Sequence, residues 1–447
     1  MRAPGKHQKI TAATVGLLLL GLLHACQHTR PGAIPAPSEA YLRFALSACD
    51  VVESNVPMIT RIAETVAQRH LDGGVIGFPW NAQGLQQELM GRSGGLVHIG
   101  FERPFKSART EAEKTNDIAI IGWDRAPGPA DLQALRDAKA RGCYVIGFGP
   151  RKMQALAPHL ALCDVWIDSA FGEDDRVVGF ADGSMGGHGN CLMNTLNGWV
   201  LTAEIVAALT RQGRMPTMWK SYSYADGRDW GERYLGKKLF HDEFQIAPLA
   251  AGNLAKEYLE QIRVHLRKFE NSQLPEVTRT ATLIAREVSQ GRRLTVVTMG
   301  HMPWTFVGKY EDDRWASPLE LNHGDPAAVT NYLTHTQQGA LILRLGYSGQ
   351  HQDETAIFEK KHQREMLITA ADNPRPEWQL PTNLVSKIEM GWEFGDACVT
   401  IPGYPIKVFP PSGIMQLVAY ECVNVEVLDR IARGNRTTRT APLKNIR

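Results

Sequence analysis

The sequence predicts an α/β protein built from two similar parallel-sheet units in series, each a three-layer α/β/α arrangement. Short apolar runs alternate with amphipathic stretches along most of the chain. The same order of runs occurs twice at a nearly constant offset. The glycines, 41 in all, gather at the ends of the apolar runs. Buried strands alternating with helices require a parallel sheet covered on both faces.

Composition supports this and removes other classes. At 447 residues, 43% hydrophobic and 21% charged, the chain can fill a large core and is not disordered. Lys+Arg 49 against Asp+Glu 47 gives no concentrated basic face, so no nucleic-acid partner is expected.

The first segment, residues 1–26, reads as an export signal. Arg2, Lys6 and Lys9 form a positive head, followed by an apolar run from Ile10 to Leu23. That run is shorter than the roughly 20 residues a stable span needs and suits a signal h-region. It closes on Leu23-His24-Ala25-Cys26, which resembles a bacterial lipobox with Cys26 lipidated as the mature N-terminus. His24 departs from the small residue of that pattern, and plain cleavage is the alternative. The expected location is export, as a membrane-anchored lipoprotein or a periplasmic protein. Residues 27–40 are Pro-rich at their centre and read as a tether.

The first unit is expected over 41–245. Its strands are GGVIGF (73–78), NDIAIIG (116–122), GCYVIGF (142–148) and CDVWID (163–168). PADLQALRDAKARG (129–142) is amphipathic, and a long helix follows from Asn190 to about Leu209. The second unit is expected over 254–432, before a tail of 433–447. Its strands are RLTVVTMG (293–300), GALILRLG (339–346), REMLITAAD (364–372) and GDACVTI (395–401), and its last helix opens at Ser412. Gly339 lies 223 positions after Asn116, and Ser412 lies 222 after Asn190. Solenoid periods are about 20–50 residues, so this is a duplicated domain. No Cys/His spacing suggests a metal, and no cofactor is expected.

In such sheets ligands bind beyond the carboxyl ends of the strands, where helix N-termini offer free N–H groups to anions. The second unit has three suitable loops: Gly300-His301, Ser348-Gly349-Gln350 and Ser412-Gly413. Taken singly, Ser412 is equally an N-cap and Ser348 a turn residue.

The duplicated unit resembles the SIS (sugar isomerase) domain, a flavodoxin-like unit that binds phosphorylated sugars. The matching residues are Gln87-Glu88-Leu89 through Arg92-Ser93-Gly94-Gly95-Leu96, Asn116-Asp117, Ala138-Lys139 with Arg141-Gly142, and Met215-Pro216-Thr217-Met218-Trp219-Lys220-Ser221. The likeness is clearest over 41–240, where it is to stand-alone SIS proteins of uncharacterised function, and weaker over 254–432. The two-copy layout is similar to the isomerase half of glucosamine-fructose-6-phosphate aminotransferases. It implies a small-molecule sugar derivative as partner and leaves a homodimer open. The first copy departs from the family pattern. Trp123-Asp124-Arg125 replaces a Ser-rich loop, Pro79-Trp80-Asn81 replaces Gly-His-Ser, and His188-Gly189-Asn190 replaces Ser-Thr.

Two function classes follow. An aldose–ketose isomerase needs a base between adjacent carbons and a group that opens the ring. Glu88 is the first carboxylate candidate, Glu354 the second, and His301 the candidate for hydroxyl protons. The alternative is a non-catalytic exported protein that binds a sugar derivative. Trp80, Trp123 and Trp304 are placed either to stack on a sugar face or to pack the rim. For the export reading, a fatty-acid analogue should label the wild type and leave Cys26→Ser unlabelled. Equal cytosolic accumulation of both forms contradicts it.

Overall fold

The computed structural model describes residues 35–79, 83–100, 110–298, 303–320, 336–346, 358–370 and 380–440, with Tyr332 and Thr334. The chain divides into Met1–Ala36 and Pro37–Arg447, and both sheets belong to the second unit.

The first sheet holds β1 (Ile76–Gly77), β2 (Ile118–Gly122), β3 (Tyr144–Gly149) and β4 (Val165–Asp168) in the order β1-β2-β3-β4. All three pairings are parallel. Every residue of β2 is buried, which explains why this strand reads as a continuous apolar run without alternation. Ile99 makes a parallel bridge to Ile76 on the free edge of β1, at the place of a fifth strand. A separate antiparallel hairpin, β5 (Arg176–Gly179) and β6 (Met185–His188), follows β4.

The second sheet holds β7 (Leu294–Thr298), β8 (Ala316–Glu320), β9 (Leu341–Leu345), β10 (Arg364–Thr369) and β11 (Leu384–Glu389) in the order β11-β10-β9-β7-β8. It too is parallel throughout. Numbered within the copy, the order is 2-1-3-4-5, the flavodoxin-like arrangement. With Ile99 in second place, the first sheet has the same order. The expected fold class is therefore the observed one, with four strands and a bridge among the described residues of the first copy and five strands among those of the second.

Two strands fall elsewhere than expected. GDACVTI (395–401) is not a sheet strand; Val399 makes only an isolated antiparallel bridge to Val408. The outer strand is instead β11, whose sequence LVSKIE is half polar. Its Ser386 hydroxyl donates to Glu276 at 2.6 Å, and the Glu389 N–H donates to Gln273 at 2.9 Å. Those polar residues bond to a helix instead of facing water, which hides the strand from an apolar search. β8 carries Pro318 and lies on the opposite edge, where a missing N–H is tolerated.

The helices, in order, are α1 (Pro37–Leu71), α2 (Leu85–Leu89), α3 (Glu111–Lys114), α4 (Pro129–Ala140), α5 (Ala157–Leu160), α6 (Asn190–Arg211), α7 (Gly227–Tyr234), α8 (Asn253–Ser289), α9 (Pro303–Phe306) and α10 (Ser412–Thr440). α1, α6, α8 and α10 pack on one another between the two sheets. α1 begins inside the stretch read as a tether, and α10 runs past 432. α6 is long and apolar enough to cross a membrane, but every residue from Asn190 to Thr210 is buried inside the protein. Each buried Leu, Ile or Val on this face contributes about 1.5–3 kcal/mol.

The two copies touch backbone to backbone beside this bundle. The Phe409 N–H donates to the Gly94 carbonyl at 2.9 Å. Gly94 has φ +71°, and a Cβ there would sit 2.6 Å from the Phe409 nitrogen, so only glycine fits. The six described cysteines are all free, and burial pushes the Cys49 and Cys163 thiols up to about 12.

Candidate functional site

The N-termini of α6 and α10 are both buried at the junction of the two copies. Their first N–H groups have no partner within the helix. In the first copy, Asp175 accepts from the Gly189 and Asn190 N–H groups at 3.2 and 2.9 Å. In the second, Asp396 accepts from the Ser412 N–H at 3.2 Å and from its hydroxyl at 2.7 Å. Asp396 follows Asp175 by 221 positions, so the caps are repeat equivalents.

Each capping carboxylate has a cation beside it, and each of these cations also links the two copies. Arg92, from the loop after α2, bonds to the Ser412 hydroxyl and lies 3.4 Å from Asp396. His188 bridges Asp175 through Nδ1 at 2.7 Å and Asp312 of the second copy through Nε2 at 2.9 Å. Burial opposes charge on this imidazole, but the bonds to Asp175 and Asp312 outweigh it and hold His188 at about 11. The ring of Tyr310 stacks on His188, centroids 3.7 Å apart and 12° from parallel.

The strand-end cradle of the first copy is filled by the protein itself. The Asp124 and Arg125 N–H groups, just past the end of β2, both donate to the Gln83 side-chain oxygen at 3.1 Å. Asp124 pairs with Arg125 at 3.0 Å and accepts from the Tyr310 hydroxyl at 3.4 Å. Burial raises the Asp124 carboxyl to about 6 against the pull of Arg125. Trp123 is not a sugar-stacking residue: it is buried, donates to Asp131 at 3.2 Å and stacks on Trp166. Both ring contacts, with Trp166 and with His159, lie within the core of the first copy.

Glu88 reaches into the second copy. Its carboxylate packs on Gly413 so closely that a Cβ there would lie 2.2 Å from Oε1. Oε1 accepts from the Trp199 indole N–H at 2.8 Å, and Oε2 lies 3.7 Å from Arg92 Nε. Oε2 has no hydrogen-bond partner among the described residues. Burial pushes the Glu88 carboxyl up to about 7, with Arg92 and Trp199 pulling the other way and Asp396 adding to the rise.

Among the expected site residues, the structure thus brings Glu88, Ser412 and Gly413 together. Gly300, His301, Ser348, Gly349, Gln350, Glu354, Cys26 and Trp80 lie outside the described residues, as does the Trp304 side chain. Sequence reasoning missed Asp396, Gln83, Tyr310 and the Asp175–His188–Asp312 chain; only Asp175 and Asp396 carried a signal, their repeat offset. Among the described residues no group of His, Cys, Asp or Glu is arranged to hold a metal.

No family model matches the chain, and no curated protein matches it. Solved structures of similar course exist. One is a candidate phosphosugar isomerase from Silicibacter pomeroyi, 10% identical over 90% of this chain and 99% of its own, TM-score 0.43. A second, from Clostridium difficile, is 10% identical over 88% and 93%, TM-score 0.45. A third is the C-terminal domain of glucosamine-fructose-6-phosphate aminotransferase from Francisella tularensis, 11% identical over 86% and 96%, TM-score 0.42.

The raised Glu88 carboxyl makes a signed prediction. Its protonated form is favoured by folding, so its contribution is complete below the unfolded value of 4.5 and is lost as pH rises through about 7. Glu88→Gln should therefore gain stability relative to wild type from pH 4.5 to 8, by up to about 3 kcal/mol. Denaturant unfolding at the two pH values measures it. Parallel pH dependence in both proteins contradicts the assignment.

Proposed function

We propose that the protein is a tandem SIS protein that binds a phosphorylated sugar derivative at the mouth of the second sheet, between β7 and β9. This is the point where strand order reverses, the place such sheets offer to ligands. The observation that carries the reading is the filled strand end of the first copy, where Gln83 takes the Asp124 and Arg125 N–H groups and Tyr310 bonds to the Asp124 carboxylate. At the sequence positions following the corresponding apolar runs, the second copy carries Gly300-His301 and Ser348-Gly349-Gln350, residue types that suit an anion. Ser412 and Gly413 add the N-terminus of α10. Export, with Cys26 as anchor, completes the reading.

A second reading, an aldose–ketose isomerase, is favoured by one observation: Glu88 is held near 7, where a general base works best. In that reading Glu354 is the alternative carboxylate base and His301 handles the hydroxyl protons. Its full burial favours the binding role, since a base must reach its substrate.

Thermal shift with hexose 6-phosphates and the free hexoses selects a ligand, because binding to the native state raises stability. Calorimetry then decides the site. Ser348→Ala removes a donor to a charged group and should weaken binding about tenfold or more, while Arg125→Ala leaves it unchanged. The reverse pattern places the ligand in the first copy.

A further inference from the structure

The last helix leaves the folded body where the chain enters it. Every residue of α10 from Ser412 to Val427 is buried, whereas Arg433 and Gly434 are exposed. Arg430 fixes the helix at this exit, bonding to the Glu426 carboxylate and donating to the Thr278 carbonyl of α8 at 3.4 Å. The same carboxylate holds the start of α1. Glu426 Oε1 accepts from the Ser38 hydroxyl at 2.7 Å and from its N–H at 3.2 Å, while Oε2 takes Arg430. The point where residues 27–36 join the body and the point where α10 emerges are therefore linked through one side chain.

Positive charge is concentrated beyond that exit. Residues 430–447 hold Arg430, Arg433, Arg436, Arg439, Lys444 and Arg447, and no Asp or Glu. Six of the 49 Lys+Arg lie here, so the rest of the chain carries 43 against all 47 Asp+Glu and is net acidic. Arg430 and Arg433 are engaged by Glu426 and Asp429 one turn earlier in α10. The four cations that follow have no acidic residue after Asp429 in the sequence. α10 itself continues to Thr440, and the arginines recur at every third position from 430 to 439. Positions so spaced fall within one half of a helix circumference.

We propose that the emergent end of α10, with the basic residues that follow it, is a contact for an anionic lipid surface. A polybasic segment is the second contact that a lipid anchor needs for stable attachment, and each Lys or Arg near such a surface strengthens partitioning about fivefold. The segment carries Ile431, Leu443 and Ile446 among its cations, side chains that suit a headgroup boundary. It has no Phe, Tyr or Trp to stack on a base, which favours lipid over single-stranded nucleic acid. Cys26 precedes Ser38 by 12 residues, a span of at most about 43 Å, so a lipid at Cys26 keeps the basic end within reach of the bilayer. That anchor belongs to the export reading; the lipid contact is tested without it.

Vesicle sedimentation of the chain from residue 27, which keeps the whole compact unit Pro37–Arg447, provides the test. Phosphatidylglycerol vesicles should carry the protein down at low salt and release it as salt screens the charges, and phosphatidylcholine vesicles should not carry it down. Arg436→Gln, Arg439→Gln, Lys444→Gln and Arg447→Gln combined should lower partitioning about 100-fold or more. Arg436→Lys, Arg439→Lys and Arg447→Lys combined should keep it within about threefold, because a diffuse field reads charge and not guanidinium geometry. Both variants should unfold at the wild-type denaturant midpoint, which separates loss of contact from loss of fold. Equal binding to the two lipids, or unchanged partitioning of the Gln variant, overturns the proposal. So does tighter binding to duplex DNA than to phosphatidylglycerol in the same salt, which makes the partner a nucleic acid. Because the tested chain lacks Cys26, a failed lipidation test leaves this result standing.

Discussion

Two helix N-termini are buried between the sheets of this protein, cut off from water, and their free N–H groups must be satisfied there. The duplicated fold sets this constraint, because it places α6 and α10 between two sheets. Each copy answers with an aspartate from the segment between its sheet and that helix, Asp175 or Asp396. A buried carboxylate in turn needs a cation or a proton. The nearest cations are Arg92, contributed across the junction to Asp396, and His188, which ties Asp175 to Asp312 of the other copy. Removing one member of such a buried pair typically costs about 3–5 kcal/mol. Cohesion between the copies therefore rests on polar capping as well as on the apolar bundle.

The same constraint makes the copies unequal. In the first, the cation at the helix start is a histidine, and its flat ring accepts the stacked Tyr310, whose hydroxyl then reaches Asp124. The strand-end cradle closes as a consequence. In the second, a serine hydroxyl and a glycine stand at the helix start, and Glu88 enters from the neighbouring copy. Carboxyls near neutral gather along this seam: Asp124 and Asp313 at about 6, Glu88 at about 7 and Glu421 at about 8, each raised chiefly by burial.

Much of this architecture was legible in the sequence. β2, β3, β9 and α6 are buried on all sides, so their apolar runs announce them and their offsets reveal the duplication. β11 was not legible, because Ser386 and Lys387 meet side chains of α8 and the strand lacks an apolar signature. Nor was α1 anticipated, a helix whose start merges with a Pro-rich stretch. At the site, Glu88 stood out by its motif. Its neighbour Asp396 is 304 positions from Arg92, and no local pattern connects residues that only the fold brings together. For the same reason no local pattern joins His188 to Asp312, 124 positions away.

The central claim is that Arg92 and Asp396 hold the copies together as one capped, neutralised unit. A double-mutant cycle with Arg92→Met and Asp396→Asn, read by denaturant unfolding, tests it most directly. The account predicts a coupling energy of about 1.5 kcal/mol or more between the two positions, within the range for residues in one buried network. Effects that add to within about 0.5 kcal/mol, as for independent sites, contradict it.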